Sequence, residues 1–376
     1  MIRALLLAAL ALALAACDGE LASADPAPDA QPSPDADLDA GPADLAVDAR
    51  PSDLGVDAAA DAALPEPDPC GLALHPDPDR PRVALVAHPF GEEANNRGYT
   101  VATYPLGADG RLGDESARID LGQRVVRVRF LPSGRFAVAL GEDGALALLE
   151  ITPPGGLALV DQIAMPGAGF QDLVVDPDGA FVHVITRDVD EDAGVYTVAI
   201  PCGGGLEPVP EHLSLRLVNG MTLFPGDPDR ALLVGGQAVF EPVDADDTRL
   251  LTRRPDGGWA QAAAFDLWGD AVDLTGLAIH PDGHTALVPN GSSFSDEGAQ
   301  VMALDLTGPE PVETARFMDM QDARQARYHR DGTAFVTRLE PGRITVFLDE
   351  GEGPEPVTEL RYGLPDGGAD DGAGVV

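Results

Sequence analysis

Apolar and polar positions alternate along most of the chain in short runs, and the runs come in pairs around a Pro-Asp-Gly kind of turn. Leu173-Val174-Val175 leads into Pro177-Asp178-Gly179, and Phe181-Val182-His183-Val184-Ile185 follows it. Pro fixes the first turn position, Asp bonds its own backbone and Gly accepts a positive φ. β-branched and aromatic residues on both sides read as strands. The unit opens at Leu72-Ala73-Leu74-His75-Pro76-Asp77 and recurs at Pro132-Ser133-Gly134, Pro177-Asp178-Gly179 and Pro281-Asp282-Gly283. Degenerate copies stand at Pro225-Gly226-Asp227 and Arg330-Asp331-Gly332. The markers are spaced by 56, 45, 48, 56 and 49 residues. Each copy continues with a third strand, as in Gln300-Val301-Met302-Ala303-Leu304, and a fourth, as in Val312-Glu313-Thr314-Ala315-Arg316. No stretch sustains a 3.6-residue apolar period, so few helices are expected.

A repeat of this length, built from four short strands, predicts an all-β fold: a β-propeller over residues 70–376. Six copies predict six four-stranded blades. Seven remains the alternative, because Gly374-Val375-Val376 falls where a seventh innermost strand would begin. Either Val375 and Val376 tuck against the first blade, or the chain is a shortened seven-bladed protein.

The first 69 residues follow another pattern. Arg3 precedes an apolar run over residues 4–16, too short to span a bilayer as a permanent helix but suited to a signal-peptide core. No later run of about 18 apolar residues occurs, so no transmembrane helix is expected. Residues 18–69 are almost entirely Asp, Ala, Pro, Ser and Gly. With apolar side chains too sparse to repay the ordering entropy, this segment is expected to be a disordered tether. Its reach runs from about 40 Å as a flexible coil to about 160 Å as polyproline.

The formal net charge of −39 sharpens the picture. Residues 18–69 carry 14 acids and one Arg, and the excess of acid continues into the repeats. Binding to nucleic acid needs clustered cations and is excluded as a function class. Such a field favours cations or basic partners.

Two resemblances follow from the quoted residues. Leu14-Ala15-Ala16-Cys17 resembles the lipobox of bacterial lipoproteins, which implies lipidation of Cys17 and anchoring in the cell envelope, outside the cytoplasm. Several acyl chains on one Cys hold stably where one does not. The stretches Thr285-Ala286-Leu287-Val288-Pro289-Asn290 and Val301-Met302-Ala303-Leu304-Asp305-Leu306-Thr307-Gly308 resemble the YVTN-type, lactonase-like propeller repeat. WD40 and TolB-type repeats share much of the pattern. The resemblance implies the propeller; it carries lactonase activity as an alternative function.

Propellers bind at a channel mouth where inner strands start. Counting six and five residues back from the turn markers nominates Arg127, Gln171, Asp172, Asn219, Arg324 and Gln325. Loop and strand-end residues Glu92, Asn96, Arg97 and Asn290 join them as ligand-binding candidates. Asp188, Asp190 and Asp192 alternate as in a calcium loop. They depart from the EF-hand pattern, with Gly194 one place late and Ala199 where a bidentate Glu belongs. Calcium is therefore the one cofactor weighed, and an exposed acidic hairpin is the competing reading. The seven histidines do not cluster, the one HxxxH spacing, His280 to His284, spans the Pro281-Asp282-Gly283 turn, no CxxC spacing occurs, and no GxSxG elbow is present. Once Cys17 is lipidated, Cys70 and Cys202 remain. Their repeat positions place them toward opposite faces of different blades, which argues against a disulfide. The expected function is a monomeric binding or scaffolding lipoprotein for a protein or glycan partner, with a lactonase-like hydrolase as the alternative.

Overall fold

The computed structural model describes residues 82–361 apart from 91–96, 108–110, 154, 168, 188–191, 236–245, 268–273, 275, 291–299, 318–319, 321–322, 330–331, 339–342 and 350–353. Cys17, the tether and the first repeat strand, residues 72–74, lie outside them. All regular structure among the described residues is β, in six antiparallel sheets that follow one another along the chain.

The first sheet holds β1 (Val83–Phe90), β2 (Arg97–Pro105) and β3 (Ala117–Asp120). The second is β4 (Val125–Phe130), β5 (Phe136–Gly141), β6 (Ala145–Thr152) and β7 (Gly156–Ala164). The third runs β8 (Phe170–Val175), β9 (Phe181–Thr186) and β10 (Gly194–Ala199), its outer edge completed by two short pieces, β11 (Glu207–Pro208) and β12 (Leu213–Ser214). The fourth is β13 (Val218–Phe224), β14 (Asp227–Gly235), β15 (Thr248–Arg253) and β16 (Trp259–Phe265). The fifth is β17 (Ala278–Ile279), β18 (Thr285–Asn290), β19 (Gln300–Asp305) and β20 (Val312–Phe317). The sixth is β21 (Ala323–Tyr328), β22 (Ala334–Arg338), β23 (Arg343–Asp349) and β24 (Pro354–Arg361).

The repeated turn forms as its residues demand. Gly134, Gly179, Gly226, Gly283 and Gly332 all take a positive φ, between 63° and 91°. The amides of Gly179 and Gly283 donate to the carbonyls of Asp176 and His280, at 2.9 and 2.8 Å. Pro225-Gly226 closes a tighter loop, since Phe224 pairs directly with Asp227.

Strand alternation sends successive residues to opposite faces, and here both faces are buried. Phe136, Val138 and Leu140 of β5 pack with Leu173, Val182 and Val184 of the third sheet. Ala137 and Ala139, between them, pack with Val101 of the first. Leu232 and Val234 of β14 meet Ala286 and Val288 of the fifth sheet, while Ala231 and Leu233 meet Ile185 and Val195 of the third. Leu287, Val301 and Ala303 meet Ala326, Val336 and Phe347 of the sixth. Five such cores fill the spaces between consecutive sheets. The first strands also pack on one another: β4 on β8, β13 on β8 and β17, and β21 on β17.

A second regularity was not legible in the sequence. In four sheets the pairing of first and second strands slips at one repeat position, between Val125 and Arg127, Phe170 and Asp172, Val218 and Gly220, and Ala323 and Gln325. The residues skipped are Val126, Gln171, Asn219 and Arg324, the position six back from each turn marker. A bulge of this kind bends the strand and re-aims its side chains.

Cys202 is disulfide-bonded, which corrects the argument from repeat position that it stays unpaired. Its partner lies outside the described residues. Repeat position fixes the face of a strand residue, but Cys202 sits in the turn after β10, where that rule does not apply.

Because the cores are dry on both sides, Leu232→Ala, at 0% exposure, is expected to cost about 3 kcal/mol. Leu159→Ala, on the open edge strand β7 at 45% exposure, should change stability by less than about 0.5 kcal/mol. Urea unfolding of the two variants beside the parent checks this contrast.

Candidate functional site

First strands are the innermost elements of the sheets, and five of them line one cavity of about 590 Å³. Its wall takes Arg129 and Phe130 from β4, Asp172 to Val175 from β8, Met221 and Thr222 from β13, Ala278 and Ile279 from β17, and Arg327 and Tyr328 from β21. Position three back from each turn marker supplies Arg129, Val174, Thr222, Ala278 and Arg327. These five residues form one ring of the wall. The ring before it, five back, is Arg127, Asp172, Gly220, Gly276 and Gln325. Its members also meet, since Gly276 bridges Gln325 in parallel and Gly220 lies against the backbone of Gly276.

Charge in the wall is mostly positive. Arg129 Nη2 lies 3.4 Å from Asp172 Oδ1, and Arg127 Nε lies 3.5 Å from the same oxygen. Asp172 Oδ1 also accepts the amide N–H of Leu173 at 2.9 Å. The three arginines share a posture: each Nη1 donates to the carbonyl of the residue before it, at 3.0 Å for Arg127, 3.1 Å for Arg129 and 2.9 Å for Arg327. Burial brings the Arg129 guanidinium down to about 10; the Asp172 carboxylate opposes this, and the charges of Arg327 and Arg127 add to it.

Of the residues nominated from the sequence, Asp172 lines the cavity and Arg127 stands beside it as its partner. Asn219 is buried, and its Nδ2 donates to the carbonyl of Leu274 at 2.7 Å, a bond between two sheets. Asn290 is buried at the end of β18, bridged to Leu274. Gln171 occupies the β8 bulge and Gln325 the bridge to Gly276. Arg97 opens β2 and Arg324 falls in the β21 bulge. Glu92, Asn96, Asp188 and Asp190 lie outside the described residues, and Asp192 is exposed. No group of three or more His, Cys, Asp or Glu side chains able to hold a metal occurs among the described residues. Arg129, Arg327, Thr222 and Tyr328 were missed. The signal for them was the alternation Arg127-x-Arg129 and Gln325-x-Arg327, which puts the second member of each pair on the face of the first.

A second polar constellation joins the third and fourth sheets. His183, 0% exposed, holds Asp176 Oδ1 at 2.9 Å through Nε2, while Thr197 Oγ1 lies 3.1 Å from Nδ1. Thr, His and Asp in that order have the composition of a nucleophilic triad. No substrate reaches them: all three are buried, and Trp259 Nε1–H donates to the same Nδ1 at 3.0 Å. That bond fixes the ring with its proton on Nε2, donated to Asp176. Arg253 completes the cluster with bonds of 2.6 and 2.7 Å to the two Asp176 oxygens, its guanidinium 4.8 Å from the Trp259 ring centre. The cluster is a clamp between sheets.

No family model matches the chain, and no curated protein matches it. Solved structures do. The periplasmic gluconolactonase of Pseudomonas aeruginosa superposes with a TM-score of 0.60 at 16% identity, over 78% of this chain and 85% of that one. A candidate 6-phosphogluconolactonase of Bacteroides uniformis gives 0.62 at 12% identity, over 78% and 86%. A functionally unknown protein from Desulfotomaculum acetoxidans gives 0.54 at 15%, over 71% and 78%. The fold is β-propeller-like. At these identities the likeness is one of fold alone. The cavity then lies in the central channel of a propeller-like ring of sheets.

The clamp makes stability fall with acid. Burial pushes the His183 ring below its usual value against the pull of Asp176. The unfolded ring protonates near pH 6.5, so protons favour the unfolded chain from about that pH downward. Burial alone would raise the Asp176 carboxyl, but hydrogen bonds from His183 and Arg253 outweigh it and hold the group below the usual carboxylate range. Its contribution is present above about pH 3.9 and is lost as pH falls through the lowered folded value. The urea midpoint is expected to decline as pH drops below about 6.5, and His183→Gln to remove the upper part of that slope. Midpoints measured from pH 7.5 to 4 read this directly.

Proposed function

We propose that this chain is a lipid-anchored, extracytoplasmic, six-bladed β-propeller that works as a monomeric binding protein, holding a ligand of sugar size in its channel without converting it. The single observation that carries the reading is the 590 Å³ cavity whose charged side chains are Arg129, Arg327 and Asp172. Its size falls within the usual range of small-ligand sites, roughly 300–1,000 Å³. Convergent fixed donors on rigid strands suit recognition. Of the two partner classes weighed, the cavity suits the glycan better than the protein, because only a small molecule or a chain end fits such a volume.

The leader and Cys17 support the anchor, and the disulfide at Cys202 supports an oxidising compartment. The periplasmic location of the Pseudomonas gluconolactonase points the same way. Six sheets among the described residues support six blades.

A second reading, a lactonase-like hydrolase, is favoured by the lactonase-like neighbours and by Asp172, a carboxylate beside guanidiniums that could steady an oxyanion. Glucono-lactone and gluconate given to the purified full chain separate the two. The binding reading expects saturable heat with no acid released from the lactone. Acid release that Asp172→Asn abolishes, at an unchanged melting temperature, would replace it with the hydrolase. Separately, Cys17→Ala is expected to move the protein from the membrane fraction to the soluble one and to abolish palmitate labelling. Retention of both in the variant refutes the anchor.

A further inference from the structure

The acid in this chain is almost everywhere except the channel wall. Against a formal net charge of −39, the two rings described above carry Arg127, Arg129 and Arg327 and one carboxylate, Asp172. We infer that the cavity is an oxyanion site, in which the guanidinium groups of Arg129 and Arg327 grip the carboxylate or phosphate group of a small molecule. This rests on the reading of the channel as a ligand site and names the ligand's chemistry.

The same protein shows what a satisfied arginine looks like. Arg253 meets both oxygens of Asp176 at 2.6 and 2.7 Å and is nearly buried. Arg129 meets one oxygen of Asp172 at 3.4 Å, and that oxygen is shared with Arg127 at 3.5 Å. One carboxylate thus serves two guanidiniums loosely. Arg127 Nε is buried with no hydrogen-bond partner. Arg327 is exposed to the cavity, its one side-chain bond goes to the carbonyl of Ala326, and no carboxylate lies within ion-pair reach of it among the described residues. Each guanidinium has five donors in a planar fork, more than these bonds use, and Arg129 and Arg327 line the cavity.

Like charges in a half-dry wall repel, and the lowered value of Arg129 registers the presence of Arg327 and Arg127. An oxyanion between Arg129 and Arg327 relieves that repulsion and takes charge-assisted, bidentate bonds. The rest of the ring leaves it room, because Val174, Thr222 and Ala278 are small and only Thr222 is polar.

Calorimetric titration of the full chain with inorganic phosphate, gluconate and neutral glucose, at low ionic strength, tests the inference and separates the two sources of an oxyanion. Phosphate or gluconate is expected to bind and glucose not. Arg327→Gln, an exposed change that the fold tolerates, should weaken binding roughly tenfold. Asp172→Asn should tighten it severalfold, since the competing carboxylate is gone while its oxygen can still accept the Leu173 amide. Arg327→Gln without effect, or weaker binding in Asp172→Asn, overturns the inference. Glucose binding alone would also overturn it and leave the channel as a site for neutral ligands. If none of the three binds and neither variant changes this, the channel-ligand reading falls as well.

Discussion

Among the described residues the second to fifth sheets are covered on both faces, and that constraint decides where chemistry can be. Residues such as Val138, Leu148, Leu233 and Leu287 are wholly buried, and their neighbours in sequence are buried just as deeply against the sheet on the other side. A polar side chain in the middle strands must therefore find a partner inside, as His183 does, or lose more than a hydrogen bond returns. Only the outer edge strands and the inward side of the first strands are released from this demand. The outer edges face solvent. The first strands face one another across the cavity that Arg129, Asp172 and Arg327 line.

The bulge shared by four first strands refines this geometry. A regular strand running into the channel would keep one phase from start to end. Slipping one residue at Val126, Gln171, Asn219 and Arg324 lets the strand change direction where it enters and still present alternate residues to the cavity afterwards. Asn219 shows the consequence. Counted from the turn it belongs with the channel residues, yet its amide is turned to the carbonyl of Leu274 in the next sheet. A ligand candidate at that position becomes a tie between sheets.

The division between what the sequence announces and what it conceals follows the same lines. Turn chemistry is local, so Pro177-Asp178-Gly179 and its relatives could be read at once, and with them the repeat and the β architecture. Strand period is also local, and Phe136 to Leu140 could be read as a two-sided strand. The channel was legible only in part. Asp172 and Arg127 were reachable by counting back from the turn, but the count stopped at the strand's start and left out Arg129 and Arg327 two residues on. The tie between Trp259 and His183 spans 76 residues and has no local signature at all. Nor has the disulfide at Cys202, because turn residues escape the alternation by which strand residues are placed.

Two aspartates around one strand show the contrast between clamp and channel side by side. Asp172 and Asp176 are four residues apart around β8, and both meet arginine. At Asp176 the low dielectric of the gap between sheets would penalise a lone charge heavily, and Arg253 and His183, themselves backed by the indole of Trp259, hold it at short range. Such a pair contributes little net stability over an apolar replacement, but losing one partner is costly; it fixes how two sheets meet. At Asp172 the neighbouring space is the cavity, open enough for Arg129 and Arg127 to stand off at 3.4 and 3.5 Å. Charge held at that range is only partly spent. A protein with a surface this acidic gains nothing in solubility from a cluster of internal arginines, and the sheets close on either side without them. Their unspent capacity is what a clamp lacks and a binding site requires.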